Sequence, residues 1–361
     1  MQQKEAAYRG CLLGMAVGDA MGYTVDKKSW PEICQDYGPN GLLGYDLVNG
    51  SAQITSYTQL AAFACNGLMM GLIRGDGEKY PRYLAMSLRE WAKSQQFRGT
   101  TEKTYCWVAQ VPELRRRQCM DTRILDALSR DTLGTPEKPV FRSVSPSTLT
   151  AAVAPALLYD PEKWKLSQVG RLAAQTVAFT HGEPEAFLSG AVLAYTLAGI
   201  LQQPEKPLVQ QFLTAAQIAD TQFAESFPQV RGVTDLVRRA IELTRDPELS
   251  PLAAMTLLEC TTAAQCLAGA VYASVIHMAN FDEGMIVAVN HSGRSAAVGA
   301  LTGAILGARL GVEALPEFYL ESLEPVAVLE ELASDLAQGR QVMRIFDDSW
   351  DQKYVHGLPP R

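Results

Sequence analysis

The sequence predicts an all-α fold, and two observations carry that prediction. Apolar residues recur at three- and four-residue steps through most of the 361 residues, which is the spacing of one face of a helix. Alternating runs of Val, Ile, Thr and aromatic residues between turn residues, which are typical of strands, are scarce. We therefore expect roughly a dozen helices joined by short connections. They would form one large orthogonal multi-helix bundle, a single domain over residues 1–361.

The predicted helices follow one another along the chain. Pro81 and Pro112 lie where the first turn of a helix tolerates proline, and Ser145-Pro146 offers another start. Residues 75–146 are otherwise more polar and less regular than the rest. The clearest helical patterns cover 5–22, 54–74, 165–180, 184–203, 206–221, 228–246, 251–279, 282–291, 295–311 and 326–339.

The helix predicted over 295–311 carries glycine at every fourth position, at 299, 303, 307 and 311. Glycine in a helix costs about 1 kcal/mol relative to alanine, so this register predicts that another backbone approaches closely along that face. A membrane helix also uses such seams. However, only fourteen residues separate Arg294 from Arg309, and they span about 21 Å, short of the roughly 30 Å hydrocarbon core. We therefore interpret the segment as a buried helix.

The composition excludes several classes of protein. With 47% apolar and 20% charged residues, the chain is typical of a globular protein rather than a disordered one. A net charge of −7 and a pI near 5.3 argue against nucleic acid or an anionic membrane as partner. The seven cysteines form no C-x-x-C pair and the N-terminus has no apolar signal segment, so we expect reduced thiols and a cytoplasmic protein. The four histidines show no metal-ligand spacing.

Five segments, in the same order, resemble landmarks of the ADP-ribosylglycohydrolase family. The resemblance covers about 8–325 and leaves 326–361 as a C-terminal helical extension. The segments are YRGCLLGMAVGDAMG at 8–22, DYGPNGLLGYD at 36–46, THGEPEAFLSG at 180–190, VNHSGRSAAVGALTGAILGARLG at 289–311 and LPEFYLESLE at 315–324.

The resemblance implies an all-α fold with a central cleft that holds two divalent metals, usually magnesium. Family members draw the metal ligands from a T-D-D-T motif and a G-D-x-D-[TS] motif, in keeping with the preference of hard dications for carboxylate oxygens. The two metals orient the ribose and assist cleavage of its glycosidic bond. The implied substrates are ADP-ribosylated side chains or related ADP-ribosyl compounds.

This chain departs from both family motifs. It reads ITSYTQ at 54–59 and NHSGRSAA at 290–297, so Ser56, Tyr57, Arg294 and Ala296 stand where the resemblance implies aspartates. A family loop rich in glycine is also replaced by SPSTLTAA before Ala154. A dication about 4 Å from Arg294 would meet about 8 kcal/mol of repulsion at an effective dielectric constant of about 20. We therefore expect no metal cofactor at these four positions.

Two acids of the family pattern remain, Asp19 in a G-D-A run and Asp26 just after it. Either both line the cleft, or Asp19 ties down a helix end and Asp26 is a solvated loop residue. A third possibility is that Arg294 pairs with one of them and fills the metal cavity as an internal cation. The full set of candidate cleft residues is Asp19, Asp26, Thr55, Ser56, Tyr57, Thr58, Asn290, His291, Ser292, Gly293, Arg294 and Ser295, none of which completes an intact catalytic constellation.

Three further side chains have competing interpretations. The Tyr57 ring either fills the volume left by metals and ligands or stacks on a base or ribose, and filling is favoured. His181 is interpreted as a helix C-terminal residue bonded to carbonyls. His291 is interpreted as a structural residue rather than a catalytic base.

The leading hypothesis is a pseudoenzyme, an ADP-ribosylglycohydrolase fold with a dismantled dinuclear magnesium site that acts by binding or regulation. One alternative is an active hydrolase of ADP-ribosyl N- or O-glycosidic bonds with a relocated or single metal at Asp19 and Asp26. Another is a structural, crystallin-like protein. The expected partners are ADP-ribose or an ADP-ribosylated protein, and neither nucleic acid nor a membrane is expected.

Overall fold

Helices make up nearly all the regular structure of the computed structural model, which describes residues 2–96, 104–118, 121–342 and 348–357. The all-α prediction is confirmed. In these ranges the only β-type pairings are two isolated bridges, Val48–Ser51 and Ala52–Leu323. The α-helices are α1 Gln2–Val25, α2 Trp30–Tyr37, α3 Ser56–Ile73, α4 Tyr80–Gln96, α5 Pro112–Arg115, α6 Thr122–Ser129, α7 Val153–Leu158, α8 Leu166–Ala178, α9 Pro184–Gln202, α10 Leu208–Phe223, α11 Val230–Leu243, α12 Pro251–Leu258, α13 Ala263–Ile276, α14 Phe281–Val289, α15 Ser295–Leu310, α16 Glu317–Ser322, α17 Val326–Val342 and α18 Asp348–Tyr354.

The centre of the bundle is an antiparallel pair formed by α1 and α15, joined along a seam of glycines. A methyl group on any of these glycines would overlap the backbone carbonyl of the residue opposite, so only glycine permits this separation. The prediction that another backbone approaches α15 is confirmed, and the partner is α1. The facing pairs are Gly10 with Gly307, Gly14 with Gly303, Gly18 with Gly299, and Gly22 with Ser295.

One glycine of the predicted register has a different role. Gly311 lies beside Gly10 but follows the end of α15, with a φ of 83°. With a ψ of 166°, this conformation is open essentially only to glycine, which explains why α15 ends at this residue. The seam in α15 therefore consists of Gly299, Gly303 and Gly307.

The prediction of one helix over 251–279 is wrong, because two helices occupy that range. The chain turns at Glu259 and Cys260, which have φ values of 59° and 51°. The second helix, α13, then begins with a capping box in which Thr262 and Gln265 bond to each other's backbone. The T-x-x-Q pattern of that box was present in the sequence as a start signal, whereas no glycine or proline marked the break before it.

Two short helices were missed, α2 and α6. The Ser29 and Glu32 side chains form a capping box at the start of α2 with a proline in its first turn, and Asp121 caps α6. Each helix has only eight residues, too few to establish a clear apolar period.

The C-terminal segment beyond residue 325 is helical in the described ranges. The ammonium group of Lys353 in α18 pairs with Glu331 and Asp335 of α17 and lies 4.2 Å from the centre of the Trp107 ring. The Tyr354 hydroxyl donates to Asp335 over 2.6 Å. These contacts fasten α18 onto the bundle.

The cysteines are free thiols where the structure describes them. Cys11, Cys65, Cys106, Cys260 and Cys266 are buried and Cys34 is partly exposed, while Cys119 lies outside the described residues. Burial raises the pKa of Cys11 and of Cys260 to about 12, so these thiols stay protonated at neutral pH.

One described helix, α9, is long and apolar enough to cross a membrane by length and composition. In the structure 78% of its most apolar window is buried inside the protein. Such burial is typical of a core helix, and α15 is too short to pass the same test.

Candidate functional site

Asp19 of α1 holds the N-terminus of α3 through four hydrogen bonds. One carboxylate oxygen accepts from the backbone N–H of Thr55 at 2.9 Å, the backbone N–H of Thr58 at 3.0 Å and the Thr58 hydroxyl at 2.7 Å. The other oxygen accepts from the Thr55 hydroxyl at 2.6 Å. The side chain is fully buried, and burial raises its pKa to about 6 although these hydrogen bonds oppose the shift.

Asp26, at the end of α1, contacts the N-terminus of α15. Its carboxylate accepts from the backbone N–H of Ala296 at 3.2 Å and lies 3.8 Å from Nε of Arg294. Only 6% of the side chain is exposed. Burial raises the pKa of Asp26, and the nearby Arg294 partly offsets that effect. The two remaining acids of the family pattern thus each contact the positive end of a different helix.

Tyr57 and Arg294 lie side by side between these two helix ends. Tyr57 is 5% exposed, and neither its hydroxyl nor Nε of Arg294 makes a hydrogen bond of ordinary geometry. Burial raises the pKa of the Tyr57 hydroxyl well above its usual range, so the group is a neutral phenol at neutral pH. The ring occupies space inside the protein.

The backbone at Arg294 is fixed by the turn between α12 and α13. The Arg294 N–H donates to the Cys260 carbonyl over 2.8 Å. A side chain at Gly293 would collide with Cys260 and with the Glu259 carbonyl. The left-handed residues at 259 and 260 therefore position the Arg294 backbone, and Gly293 leaves room for them.

The loop before α15 is held by its own side chains. Asn290 accepts from the Leu42 N–H and donates to the Leu42 carbonyl, both at 2.8 Å. Ser292 accepts from the Trp30 N–H at 2.8 Å. Ser295, fully buried, lies 3.5 Å from the His291 carbonyl. The contacts of Asn290 and Ser292 therefore join the segment before α15 to Leu42 and to the first residue of α2.

His291 is buried and neutral. Its Nε2 lies 3.0 Å from the Ala288 carbonyl and must donate, whereas Nδ1 accepts from the Gly293 N–H at 2.9 Å. Burial lowers the pKa of His291 to about 4. With both nitrogens engaged, the ring fixes the loop and has no free nitrogen to act as a base.

His181 follows the end of α8, and its backbone N–H donates to the Val177 carbonyl over 2.9 Å, as predicted for a helix C-terminal residue, but its ring makes other contacts. Its Nδ1 lies 2.8 Å from the Thr180 hydroxyl and 3.1 Å from that of Thr148, and Nε2 lies 3.6 Å from Asp121. The ring is thus bonded to hydroxyl groups rather than helix carbonyls. Burial alone would raise the pKa of Asp121, but the nearby His181 ring and hydrogen bonds from Arg123 lower it below its usual range. No local sequence signal linked residues this far apart.

The segment that replaces the family's glycine-rich loop is ordered by backbone contacts. The Thr150 hydroxyl donates to the Tyr57 carbonyl over 2.7 Å, and the Val144 carbonyl accepts from the Ala263 N–H at 2.7 Å. The chain over 144–150, which includes most of this segment, therefore packs between α3 and α13.

The donor set at the candidate site does not fit a pair of magnesium ions. Positions 56, 57, 294 and 296 offer a hydroxyl, a buried phenol, a guanidinium and a methyl group, and magnesium requires oxygen ligands that offset its charge. Within the described residues, no group of three or more His, Cys, Asp or Glu side chains is placed to hold a metal ion.

Comparison with known proteins identifies the family. The model of the ADP-ribosylglycohydrolase family matches residues 1–345, and the chain therefore belongs to that family. The match extends beyond the expected 8–325 at both ends and takes in α17.

Two individual proteins are similar over nearly their whole length. An uncharacterized protein of Archaeoglobus fulgidus is 26% identical over 339 residues, which cover 92% of this chain and 96% of that protein. A solved structure described as an ADP-ribosylglycohydrolase-related protein complex superimposes with a TM-score of 0.58 at 21% identity. The superposition covers 94% of this chain and 99% of the other, and it shows the shared fold.

Proposed function

We propose that this chain is a non-hydrolysing member of its family, a pseudoenzyme that acts by binding or regulation. One observation carries the proposal. The resemblance implies metal ligands at the N-termini of α3 and α15, and in this chain protein side chains are bonded to those helix ends instead. Asp19 and Asp26 cap the helices, and Arg294 lies beside Asp26.

The hydrogen bonds of Asp19 argue against its use as a metal ligand. Four donors already surround its carboxylate. A metal ion on these oxygens would leave buried donors without partners, at a cost of about 1–3 kcal/mol for each. The alternative of an active hydrolase with a relocated metal requires precisely these carboxylates to be free, so the geometry disfavours it.

The charge of Arg294 supports the same conclusion. The guanidinium is held near the N-terminus of α15 by its backbone bond to Cys260 and by the carboxylate of Asp26. A helix N-terminus is already positive, and an added arginine makes the position less favourable still for a dication. Without the metals no activated water is available for glycoside cleavage.

The proposed ligand is ADP-ribose or an ADP-ribosylated protein, as membership of the family suggests. Calorimetry with ADP-ribose distinguishes this role from a purely structural, crystallin-like one. Micromolar affinity supports a binding or sensing role, whereas an absence of binding favours the structural alternative. We also propose a cytoplasmic location, because the buried cysteines are reduced thiols rather than a disulfide framework.

The decisive experiment measures hydrolysis of ADP-ribosyl-arginine and ADP-ribosyl-serine with millimolar magnesium, beside a catalytically active family member. We expect no turnover and no change in melting temperature on adding magnesium. Turnover that a chelator abolishes would overturn the proposal.

A further inference from the structure

The negative charge of this protein is concentrated in two segments. Residues 29–73 contain three acidic residues and residues 310–339 contain seven, and neither segment contains a lysine or arginine. Together they carry a net charge of −10, so the rest of the chain carries +3 to give the overall −7. The acidity of the whole chain therefore originates in these two segments.

The structure brings the two segments together at the rim of the candidate site. The Ala52 N–H donates to the Ser322 carbonyl over 2.7 Å, and the Glu324 N–H donates to the Ala52 carbonyl over 3.2 Å. The Tyr45 and Tyr319 rings meet edge to face with centroids 5.1 Å apart. Asn290 of the candidate site is hydrogen-bonded to Leu42, which lies in the loop over 38–55.

Large apolar side chains are exposed where the segments meet. Leu43 is 55% exposed and Phe318, beside Tyr319, is 53% exposed. The described ranges contain nine exposed large hydrophobic residues. Three of them lie on the loop over 38–55 and one lies on α16. We call the rim patch the exposed apolar residues Leu43, Leu47, Val48 and Phe318 together with the exposed acids Asp46, Glu317 and Glu321.

The acids of the rim patch differ from most of the others in the two segments. Of the seven other acids, five pair with a lysine or arginine, such as Glu324 with Arg116 at 2.7 Å and Asp36 with Lys28 at 2.7 Å, and only Glu32 and Glu313 have no such partner in the described ranges. Asp46 accepts a bond from the neutral Tyr37 hydroxyl. In the part of the chain that the structure describes, no lysine or arginine pairs with the three acids of the rim patch.

We infer that the rim patch is a docking surface for a basic, amphipathic segment of a partner protein. Exposed apolar side chains flanked by polar residues are typical of interaction sites, and complementary charge supplies specificity and association rate. A second copy of this chain is disfavoured as the occupant because two identical acidic faces repel each other. The inference does not depend on whether the cleft hydrolyses or binds ADP-ribose.

The probe is a labelled synthetic helical peptide of leucine and lysine in amphipathic spacing, and its matched control replaces every lysine with glutamate. We expect the full-length protein to bind the basic peptide alone, with affinity that falls as salt is added. Leu47→Ser with Phe318→Ser, and separately Glu317→Lys with Glu321→Lys, should each weaken binding at least tenfold, or about 1.4 kcal/mol.

Two control variants test whether binding is local. Leu257→Ser removes an equally exposed apolar residue on α12, and Glu248→Lys reverses a charge far along the chain from both acidic segments. Both should leave the affinity unchanged, and melting temperatures check that every variant folds. Equal weakening by the controls, binding of the acidic peptide, or concentration-dependent dimerisation lost in Phe318→Ser would each overturn the inference.

Discussion

The α1–α15 pair is held by backbone contacts along most of its length and by polar side chains at one end. Along most of its length the pair is a seam of glycines in which backbone meets backbone. At the end where Gly22 faces Ser295, the same two helices are also joined to their surroundings by the carboxylates of Asp19 and Asp26, a guanidinium and backbone N–H groups. The seam requires the absence of side chains, whereas the polar end depends on which side chains are present.

This difference explains how the fold survives when site residues change. A residue larger than glycine in the seam pushes whole helices apart, so substitutions there are limited by the packing of the entire bundle. At the polar end, different side chains can satisfy the helix ends, as Arg294 with Asp26 illustrates. The residues at the polar end are therefore freer to change than the glycines of the seam.

The strongest test returns aspartate to the four positions that differ from the family, at Ser56, Tyr57, Arg294 and Ala296. We expect a loss of more than about 4 kcal/mol in unfolding free energy without metal, because unpaired carboxylates would be buried. Adding magnesium should raise the lowered melting temperature of this variant but leave that of the wild type unchanged. The double variant Arg294→Asp with Ala296→Asp changes fewer residues and should lose less stability. A rise in the melting temperature of the wild type on adding magnesium would contradict the expectation.

Gly303→Ala tests the seam itself. A methyl group at 303 would overlap the Gly14 carbonyl, so we expect a loss of about 3 kcal/mol in unfolding free energy, measured by chemical denaturation. Gly232→Ala is the matched control, since its added methyl group would meet no atom within 4 Å and should stabilise α11 by about 0.5–1 kcal/mol. A Gly303→Ala variant as stable as the wild type would show that the seam can relax.

Asp19→Ala tests the cap of α3. Removing the carboxylate leaves the backbone N–H groups of Thr55 and Thr58 unpaired, whereas the two threonine hydroxyls can rotate to other acceptors. We therefore expect a loss of about 2–3 kcal/mol in unfolding free energy. Asp19→Asn keeps an acceptor oxygen for α3 and should cost less at neutral pH. If both variants lose the same stability, the cap depends on charge rather than on hydrogen bonding.

The raised pKa of Asp19 predicts that the unfolding free energy depends on pH. Its folded-state pKa, about 6, lies above the reference value of 3.8, so between these values the folded protein binds a proton that the unfolded chain does not. The Asp19 contribution to the unfolding free energy therefore falls as the pH rises from about 4 to about 6, by at most about 3 kcal/mol. Across this range the unfolding free energy of the wild type should fall relative to that of Asp19→Asn, and denaturation of both proteins measures this difference.

The smallest effect belongs to the pair of Asp26 and Arg294. Because Arg294 is partly exposed and the two charged atoms lie 3.8 Å apart, we expect a coupling free energy of about 0.5–1 kcal/mol. A double-mutant cycle with Asp26→Asn and Arg294→Gln measures it. A coupling of several kcal/mol would mean that the pair, rather than the seam, holds these helix ends together.

Sequence reasoning succeeded where a local pattern had a single structural meaning. The helical period gave most of the long helices, and the four-residue glycine register in α15 predicted a close backbone approach that α1 supplies. The prediction over 251–279 failed because two left-handed residues without glycine or proline break the helix. The short helices α2 and α6 had too few residues to show a period.

The candidate site was predictable only in part. The motifs predicted that residues 55–58 and 290–295 belong to the site. They left open whether Asp19 or Asp26 pairs with Arg294, and in the structure the partner is Asp26. The contacts of His181 with Thr148 and Asp121 join side chains that are distant in the sequence. No periodicity or spacing could have indicated them.

The sequence alone determined the helical class, the glycine register and the absence of aspartates at positions 56, 57, 294 and 296, because these are properties of single residues or of local periods. Only the tertiary structure decided what the remaining charges do. Asp19 and Asp26 cap helices that begin about 36 and 270 residues further along the chain, and two acidic segments separated by over 230 residues meet in one rim patch. Charge acts through space, and folding sets the distances over which it acts.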